Sequence, residues 1–487
     1  MSRTITLKPG QKISSFLKPG EQIIKKSLDA RHKESIKYVY TVGKRAPALL
    51  QPEVCRSSER PVVVGFGPAG MFASLYLARA GLNPIVIERG SDVDTRSASV
   101  KSFREGGSFS SDNNAQFGEG GAGTFSDGKL NTGTHDKRIS QVLQIFYEHG
   151  ADESVLYDSK PHIGTDVLVK IVKNIREEII SLGGEVRFNT CFEKILTDSG
   201  VICGIVANGI EIPCSNVILA IGHSARDSFH SLFDQQVPME RKAFSIGARI
   251  EHLQKDINFA QYGSARALPA ADYKLSHDGV YTFCMCPGGY VFAANSEPDS
   301  VCTNGMSYSG RAGENSNSAV LVTVKPEDFP YEGVLGGMIW QQEIEKAAFI
   351  AGGCNYSAVC QLVGDFLANR PSTNHGKVIP TYKPAVKYGE ISDILPDSVI
   401  LAIREALPIF DKKLNGFADP EAVLTAPETR SSSPVRILRD SNCESSVRGL
   451  FPCGEGAGYA GGITSSAVDG LRCAEFLLNK LKMGDNV

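Results

Sequence analysis

The stretch Pro61-Val-Val-Val-Gly65-Phe66-Gly67-Pro68-Ala69-Gly70 decides the fold, because it joins a short apolar run to a GxGxxG pattern. The apolar run predicts a strand buried in a parallel sheet, and residues 71–79 favour a helix. A second short strand, Pro84-Ile-Val-Ile-Glu88, then ends in an acidic residue. This order of strand, glycine turn, helix and strand is the context in which GxGxxG indicates a dinucleotide-binding βαβ unit.

Each residue of the pattern has a physical role in holding a nucleotide. Gly65 permits a tight turn, Gly67 lets the backbone approach a pyrophosphate, and Gly70 lets helix and strand pack closely. The helix N-terminus offers free N–H groups and a positive dipole to the phosphates. Glu88 is expected to accept hydrogen bonds from the adenosine ribose, and its charge disfavours a 2′-phosphate. The motif alone therefore predicts FAD or NAD and does not separate them.

The C-terminal segment separates the two cofactors. Residues 449–463 predict a strand, a turn at Gly454-Glu455 and a Gly-Gly helix start at Gly462. A helix N-terminus at this point can face the pyrimidine side of a flavin, where negative charge develops on reduction. A domain that binds only NAD has no need for this second element, so the segment favours FAD.

The same segments resemble a known class of proteins. Residues 62–90 resemble the FAD-binding start of glutathione-reductase-type flavoproteins, including the Glu-Arg-Gly ending. Residues 217–222 resemble the short strand and glycine turn that those proteins place against FAD. Residues 449–466 resemble their closing flavin motif, with Glu455 where many members carry Asp.

A narrower resemblance covers nearly the whole chain. Its most specific segments are similar to the uncharacterised FAD-dependent dehydrogenases, and they are residues 117–130, 161–166, 222–227 and 284–289. This resemblance implies FAD and a redox role, and it implies no substrate. It also implies that the adenine lies near Thr190 to Phe192, after the strand predicted at 185–189.

We predict an α/β fold with a Rossmann-like FAD/NAD(P)-binding domain, an inserted α+β substrate domain and a small N-terminal α+β unit. Residues 244–325 contain β-rich runs separated by turns, which is typical of an antiparallel sheet. The resemblance implies that the FAD-binding domain is discontinuous. The predicted units are 1–56 (N-terminal unit), 57–240 (FAD-binding domain, first part), 241–419 (substrate domain) and 420–487 (FAD-binding domain, second part).

The glycine-rich loop 118–128 is expected to line the flavin ring, because its glycines allow the backbone to approach a flat ring. An Ω-loop held by Ser and Asp caps is the alternative. Arg96 follows the ribose-binding strand and either reaches a phosphate or substrate anion or lies on the surface. The residues predicted to bind the cofactor are Gly65, Gly67, Pro68, Ala69, Gly70, Glu88, Arg89, Arg96, Gly121, Ala122, Gly123, Thr124, Phe192, Gly222, Gly454, Glu455, Gly462 and Ile463.

No catalytic residue can be assigned from the sequence. His223 can donate a proton near a flavin, but lone histidines are more often structural. Cys284 and Cys286 flank a single residue, and the strain of a disulfide across that spacing favours ordinary strand cysteines. The histidines and cysteines show no metal-ligand spacing, so no metal is predicted.

We therefore predict an FAD-dependent oxidoreductase that transfers a hydride through flavin N5 to or from a small-molecule substrate. A second GxGxxG unit is not seen, which suggests direct reaction with the substrate or transient contact with NAD(P)H. Two alternatives stay open: an FAD-binding protein with a structural or regulatory role and no turnover, and an NAD-dependent dehydrogenase without flavin.

Composition limits the partners and the compartment. The net charge of −3 gives no electrostatic case for nucleic acid, and this also weakens a flavin-dependent RNA-modifying enzyme. A run of about 18 apolar residues is missing, so no membrane partner is predicted. The 12 scattered cysteines favour a reduced, cytoplasmic protein. The basic start faintly resembles a transit peptide, but two early Pro-Gly pairs argue against its helix. Oligomeric state has no signal in the sequence.

Overall fold

The computed structural model describes residues 2–45, 51–55 and 57–484. The strands are β1 (Arg3–Leu7), β2 (Gln22–Asp29), β3 (Lys37–Gly43), β4 (Val62–Val64), β5 (Ile85–Ile87), β6 (Glu185–Arg187), β7 (Phe192–Asp198), β8 (Val201–Ala207), β9 (Ile210–Pro213), β10 (Val217–Leu219), β11 (Met239–Arg241), β12 (Phe244–Leu253), β13 (Ser276–His277), β14 (Val280–Cys286), β15 (Tyr290–Ala293), β16 (Thr303–Met306), β17 (Asn315–Val324), β18 (Ala358–Leu362), β19 (Val386–Tyr388), β20 (Val423–Glu428), β21 (Val435–Ile437) and β22 (Leu450–Pro452). The α-helices are α1 (Pro68–Arg79), α2 (Val93–Arg104), α3 (Arg138–Glu148), α4 (Thr165–Ser181), α5 (Arg226–Asp234), α6 (Gln254–Tyr262), α7 (Gly336–Gly352), α8 (Val363–Leu367), α9 (Asp397–Lys413) and α10 (Ile463–Gly484).

The N-terminal unit is a three-stranded antiparallel sheet in the order β1-β3-β2. Residues 2–45 contain two short 3-10 turns and no α-helix, so the α+β prediction for this unit is wrong for them. Backbone hydrogen bonds of Lys26 with Tyr157 and Ser159 attach β2 to the rest of the molecule. The predicted boundary at residue 56 and the final residues 485–487 of the predicted C-terminal segment lie outside the described residues.

A five-stranded parallel sheet has the order β22-β10-β4-β5-β6. It contains the predicted βαβ unit, β4-α1-β5. The valines of β4 are all buried, which is why this strand is a continuous apolar run. Helices α1, α4 and α10 cover one face of the sheet. The antiparallel meander β7-β8-β9 and helix α5 lie on the other face.

The middle of the chain forms a seven-stranded sheet in the order β13-β14-β17-β12-β20-β18-β19. Its pairings are antiparallel except for β18 with β19. Helices α7 and α9 pack against it and complete its core. The antiparallel sheet predicted from residues 244–325 is therefore present.

Two details of this sheet differ from the sequence prediction. The pattern of residues 338–369 predicts mostly helix, but residues 358–362 form strand β18, because a short buried apolar run fits either element. Strand β20 pairs with β12 and β18, so residues 423–428 lie in the middle sheet, beyond the predicted boundary at residue 419. The chain returns to the parallel sheet only at β22.

Candidate active site

A cavity of about 470 Å³ lies between the parallel sheet and the seven-stranded sheet. Its size is within the usual range for ligand pockets. One wall is formed by the starts of α1 and α10 and by the glycine-rich loop, and the opposite wall by residues of β14 and of the segment after β20. The two walls belong to different parts of the fold, so a ligand in the cavity contacts both.

The turn from β4 into α1 brings the backbones of neighbouring segments very close together. Gly65 has a left-handed φ of +93°, and a Cβ there would overlap the carbonyl oxygen of Ala220. A Cβ on Gly70 would overlap the carbonyl oxygen of Gly65, so the helix packs directly on the turn. Helix α1 begins at Pro68 without a side-chain cap. Its first N–H groups therefore have no partner within the helix and are available to a ligand anion at this end.

Glu88 lies at the end of β5 and holds the surrounding backbone together. One carboxylate oxygen accepts the N–H of Phe66 at 2.8 Å, and the other accepts those of Gly90 at 3.0 Å and Gly118 at 2.9 Å. The carboxylate also lines the cavity. It can still accept a hydrogen bond from a ligand, because an ionised carboxylate has about four acceptor positions.

Arg96 is not where the sequence prediction placed it. It is fully buried and lies neither on the surface nor in the cavity wall. Its guanidinium donates to the backbone carbonyls of Asn114, Ala115, Gly118, Glu119 and Gly121 at 2.7–3.2 Å. Burial lowers its pKa to about 10. Arg96 therefore fixes the shape of the glycine-rich loop and does not contact the cavity.

The loop that Arg96 holds lies against both helix starts. The N–H of Gly120 donates to the carbonyl of Phe66 at 2.9 Å. A Cβ on Gly121 would stand 2.8 Å from the Cα of Gly67. A Cβ on Gly123 would stand 3.1 Å from the side chain of Ile463, the first residue of α10. Small residues are thus required wherever the loop passes between α1 and α10.

Fourteen of the predicted cofactor residues line the cavity, and four do not. Gly70 and Gly454 act as close packing points, since a Cβ on Gly454 would stand 2.7 Å from that of Ala69. Thr124 is buried inside the glycine-rich loop, and Arg96 of helix α2 is also buried. The residues that line the cavity are Gly65, Gly67, Pro68, Ala69, Glu88, Arg89, Gly121, Ala122, Gly123, Phe192, Gly222, Glu455, Gly462 and Ile463.

The cavity fits a dinucleotide such as FAD. A Cβ added at Gly222, Gly461 or Gly462 would meet no atom within 4 Å, although all three residues line the cavity. The protein thus leaves space at these positions that its own packing does not need. With the uncapped start of α1, this space provides room and backbone donors for a long ligand that carries phosphates.

Two titratable groups face each other in the cavity wall. The Nε2 atom of His223 lies 4.0 Å from a carboxylate oxygen of Glu455. Burial raises the pKa of Glu455 to about 7, so it can hold or release a proton near neutral pH. Burial and the nearby cations Arg430 and Arg226 lower the pKa of His223 to about 3. His223 is therefore held in the neutral form near neutral pH, which argues against an imidazolium as the proton donor considered from the sequence.

Arg430 brings a buried ion network to the cavity. Its guanidinium binds both carboxylate oxygens of Glu345, at 2.8 and 2.6 Å, and Arg226 binds the same carboxylate at 3.0 Å. Burial acts to raise the pKa of Glu345, but the two arginines outweigh it and lower that pKa. Arg430 also lines the cavity, so this network fixes the orientation of a cation beside the ligand.

Charged residues that sequence reasoning missed lie in and around the wall formed by the middle sheet. Arg249 is fully buried and binds both oxygens of Glu428, at 2.6 and 2.8 Å. Arg311 pairs with Asp127 of the glycine-rich loop. Lys129 donates to the backbone carbonyl of Met285. Asp127 and Lys129 had a signal, since they lie in the segment 117–130 that carries the family resemblance, whereas Arg249, Arg311 and Glu428 had none.

One group of side chains has the spacing of metal ligands. Ligand atoms of Cys453, Asp469 and Cys473 lie within 4.8 Å of one another, and all three residues are buried. The guanidinium of Arg439 binds both oxygens of Asp469 at 2.6 and 2.9 Å and lies 3.4 Å from the sulfur of Cys473. A cation of the protein itself therefore already pairs with the carboxylate of this group.

Comparisons with known proteins identify relatives of this chain. Residues 243–431, which include all seven strands of the seven-stranded sheet, match the model described as FAD-dependent protein, C-terminal domain-like. An uncharacterised protein of Clostridium beijerinckii is 49% identical over 95% of this chain and 92% of its own length. The chain belongs to the same family as this clostridial protein.

Solved structures of flavoproteins are more distant. A mutant of the halogenase PltM in complex with FAD is 10% identical, with a TM-score of 0.41 over 88% of this chain and 71% of its own. Glycerol-3-phosphate dehydrogenase from Bacillus halodurans, complexed with FAD, is 12% identical, with a TM-score of 0.38 over 89% of this chain and 66% of its own. These likenesses are too low to indicate a substrate. In the part of the chain that the structure describes, no helix has the length and apolar character needed to cross a membrane.

Proposed function

We propose that the protein is an FAD-dependent oxidoreductase that acts on a small-molecule substrate. The observation that carries the proposal is that the starts of α1 and α10 and the Arg96-held loop open on one cavity, whose other wall is the FAD-dependent C-terminal domain. When bound, FAD supplies hydride transfer at its N5 atom. The substrate would lie between that flavin and the β14 wall.

The residues of the cavity have distinct parts in this proposal. The N–H groups at the start of α1 bind the pyrophosphate, and Glu88 accepts from the ribose. The start of α10, at Gly462 and Ile463, stabilises negative charge on the flavin ring. Glu455, with its pKa raised to about 7, holds or takes up a proton beside the ring. Arg430, oriented by Glu345, offers a cation to an anionic group of the substrate.

The visible spectrum of the purified protein tests the proposal. We expect a flavin spectrum that bleaches when a substrate or electron donor is added anaerobically. NADH and NADPH are the first donors to add, because the transient contact with NAD(P)H considered above would then show as bleaching. A yellow protein that no donor reduces would favour a non-catalytic flavin, and a protein that stays colourless after addition of FAD would overturn the proposal.

Gly462→Val gives a sharper test of the site itself. The new side chain would enter space that is empty in the protein but needed by the cofactor. We expect flavin affinity to fall by at least about tenfold, while the unfolding free energy of the flavin-free protein changes by less than about 1 kcal/mol. Gly133→Val is the matched control, since a Cβ there also meets nothing and Gly133 lies outside the cavity. Equal flavin affinity in both variants would contradict the placement.

A further inference from the structure

Strand β14 ends in an irregular Cys284-Met285-Cys286 segment. Its pairing with β17 shifts register between Phe283 and Cys286, which marks a β-bulge. Cys284 has a left-handed φ of +42°, which residues other than glycine rarely adopt. Bulges often re-aim a side chain next to an active site. Here Cys284 lines the cavity, while Cys286 is fully buried directly behind it.

The two sulfur atoms have different environments. The thiol of Cys286 donates a hydrogen bond to the backbone carbonyl of Cys284 at 3.1 Å. The neighbouring Cys286 side chain lowers the pKa of Cys284 to about 7, and the positive charges of Arg249 and Lys129 act in the same direction. Burial raises the pKa of Cys286. The segment therefore contains a cavity-facing sulfur that is partly a thiolate at neutral pH and a protonated partner thiol within reach.

The groups around Cys284 also belong to the cofactor site. Its charge acts on Glu455, the acidic residue of the C-terminal flavin motif. Asp127 of the glycine-rich loop and the adjacent Lys129 act electrostatically on Cys284 in turn. Cys284 thus lies where the two predicted flavin-ring segments meet the middle sheet.

The other cysteine cluster differs in chemistry. The thiols of Cys443, Cys453 and Cys473 interact with one another beside Arg439. The pKa of each thiol is nevertheless raised. The main cause is the interaction with Cys473 for Cys443 and burial for the other two. These thiols are protonated and poorly reactive at neutral pH. Cys284 is therefore distinguished from the buried cysteines of that cluster by both its access to the cavity and its ionisation.

We propose that Cys284 and Cys286 form a dithiol–disulfide pair that exchanges two electrons with the bound flavin. This inference rests on the proposed FAD site. In the reducing direction, the S–S bond breaks and the two sulfurs take two electrons and one proton from the anionic reduced flavin, which becomes oxidised. Cys286 receives the proton and becomes a thiol, and Cys284 is left as the thiolate, so atoms and charge balance.

In the sequence analysis, the strain of a disulfide across one residue favoured ordinary strand cysteines. The same strain fits a redox-active pair. A disulfide closed across one residue is strained, and strained disulfides have high reduction potentials. Such a pair accepts electrons from a reduced flavin readily and rests in the dithiol form. Strain argues against a permanent structural disulfide at this site and favours a redox-active one.

Anaerobic reductive titration of the holoprotein tests the pair. Protein oxidised with ferricyanide and desalted is titrated with dithionite, and the electrons consumed per flavin are counted. We expect four electrons for the wild type and two for Cys284→Ser and for Cys286→Ser. Cys443→Ser is the matched control from the other thiol cluster and should still consume four. Peptide mapping of the oxidised wild type should show the 284–286 peptide lighter by two hydrogens.

The outcomes separate this inference from the proposed function. Bound flavin with only two electrons consumed by the wild type overturns the pair and leaves the FAD site standing. Loss of the extra electrons in Cys443→Ser assigns them to the other cluster and also overturns the pair. Failure of the protein to bind flavin overturns both proposals. If a cysteine variant fails to bind flavin, the rate at which iodoacetamide alkylates Cys284 is measured against pH in flavin-free protein. Cys286→Ser should raise the midpoint of this pH profile from near pH 7. An unchanged midpoint counts against the pair.

Discussion

The carboxylate of Glu345 binds the guanidinium of Arg430 through two hydrogen bonds, of 2.8 and 2.6 Å, with no exposed surface on Glu345. Arg226 binds the same carboxylate from helix α5. The three residues come from separate parts of the chain. The network therefore ties the segment after β20 to the helix that follows β10, across the wall of the cavity.

Glu345→Gln is expected to destabilise the protein strongly. The variant leaves the buried guanidinium of Arg430 without its carboxylate partner, while Arg226 keeps its ion pair with Glu297. Removing one partner of a buried ion pair typically costs about 3–5 kcal/mol. Chemical denaturation followed by circular dichroism measures the change. Glu343→Gln, at an exposed position of the same helix, should change the unfolding free energy by less than about 0.5 kcal/mol. Similar values for both variants would show that the network contributes little.

Gly70→Ala is expected to distort the turn that opens α1. The added Cβ would overlap the carbonyl oxygen of Gly65, so helix and turn must separate. We expect a loss of about 1–3 kcal/mol of stability and a large loss of bound flavin. Thermal unfolding and the flavin-to-protein absorbance ratio measure the two effects. Gly133→Ala, where a Cβ meets no atom, is the control and should retain both properties.

Arg96→Met is expected to release the glycine-rich loop. Five backbone carbonyls lose their donor, and we expect a loss on the order of 3 kcal/mol or more. Hydrogen exchange should rise in residues 114–121 well above the rest of the domain, with flavin content reduced. Lys101→Met changes an exposed charge on the same helix and should leave the exchange of this segment unchanged. Uniform protection in both variants would refute this role of Arg96.

The pH dependence of stability should report the environment of Glu455. Its pKa is raised from 4.5 to about 7, so the folded chain binds the proton more strongly than the unfolded chain. This contribution is fully present below pH 4.5 and is lost as pH rises through 7. In flavin-free protein, the stability of Glu455→Gln relative to wild type should therefore rise by about 1–3 kcal/mol from pH 4.5 to 7.5.

The control for this experiment is Glu211→Gln, which changes an exposed glutamate on β9. Its stability relative to wild type should not vary over the same pH range. A flat difference for Glu455→Gln would mean that the carboxyl is ionised and well solvated in the folded protein.

The parts of the site that local patterns encode could be predicted from the sequence. The GxGxxG turn and Glu88 are adjacent in a βαβ unit, whose strand spacing and glycine roles follow from backbone geometry. The apolar residues of 166–182 repeat with the helical period and predict a helix there, and the structure has helix α4 at Thr165–Ser181. These features need only neighbouring residues to be recognised.

The features of the site that could not be predicted from the sequence depend on contacts between distant segments. Arg249 and Glu428 are 179 positions apart, and nothing near either residue indicates the other. The sequence around Arg96 suits a ligand contact and a surface position equally, because the carbonyls that bury this residue come from an irregular loop. The left-handed backbone of Cys284 depends on a bulge against β17, which no local pattern reveals.

The order of strands in the parallel sheet has a consequence for synthesis of the chain. Strand β22 forms one edge of that sheet, and Gly470 of α10 packs so tightly against Ala69 of α1 that a Cβ would overlap the backbone. A nascent chain makes its first nucleotide-binding turn early, yet it lacks the edge strand and the second helix until β22 and α10 have been translated. The apolar face of α1 that α10 covers stays exposed until then, so we expect cofactor capture to follow the synthesis of α10 and chaperones to recognise the exposed face.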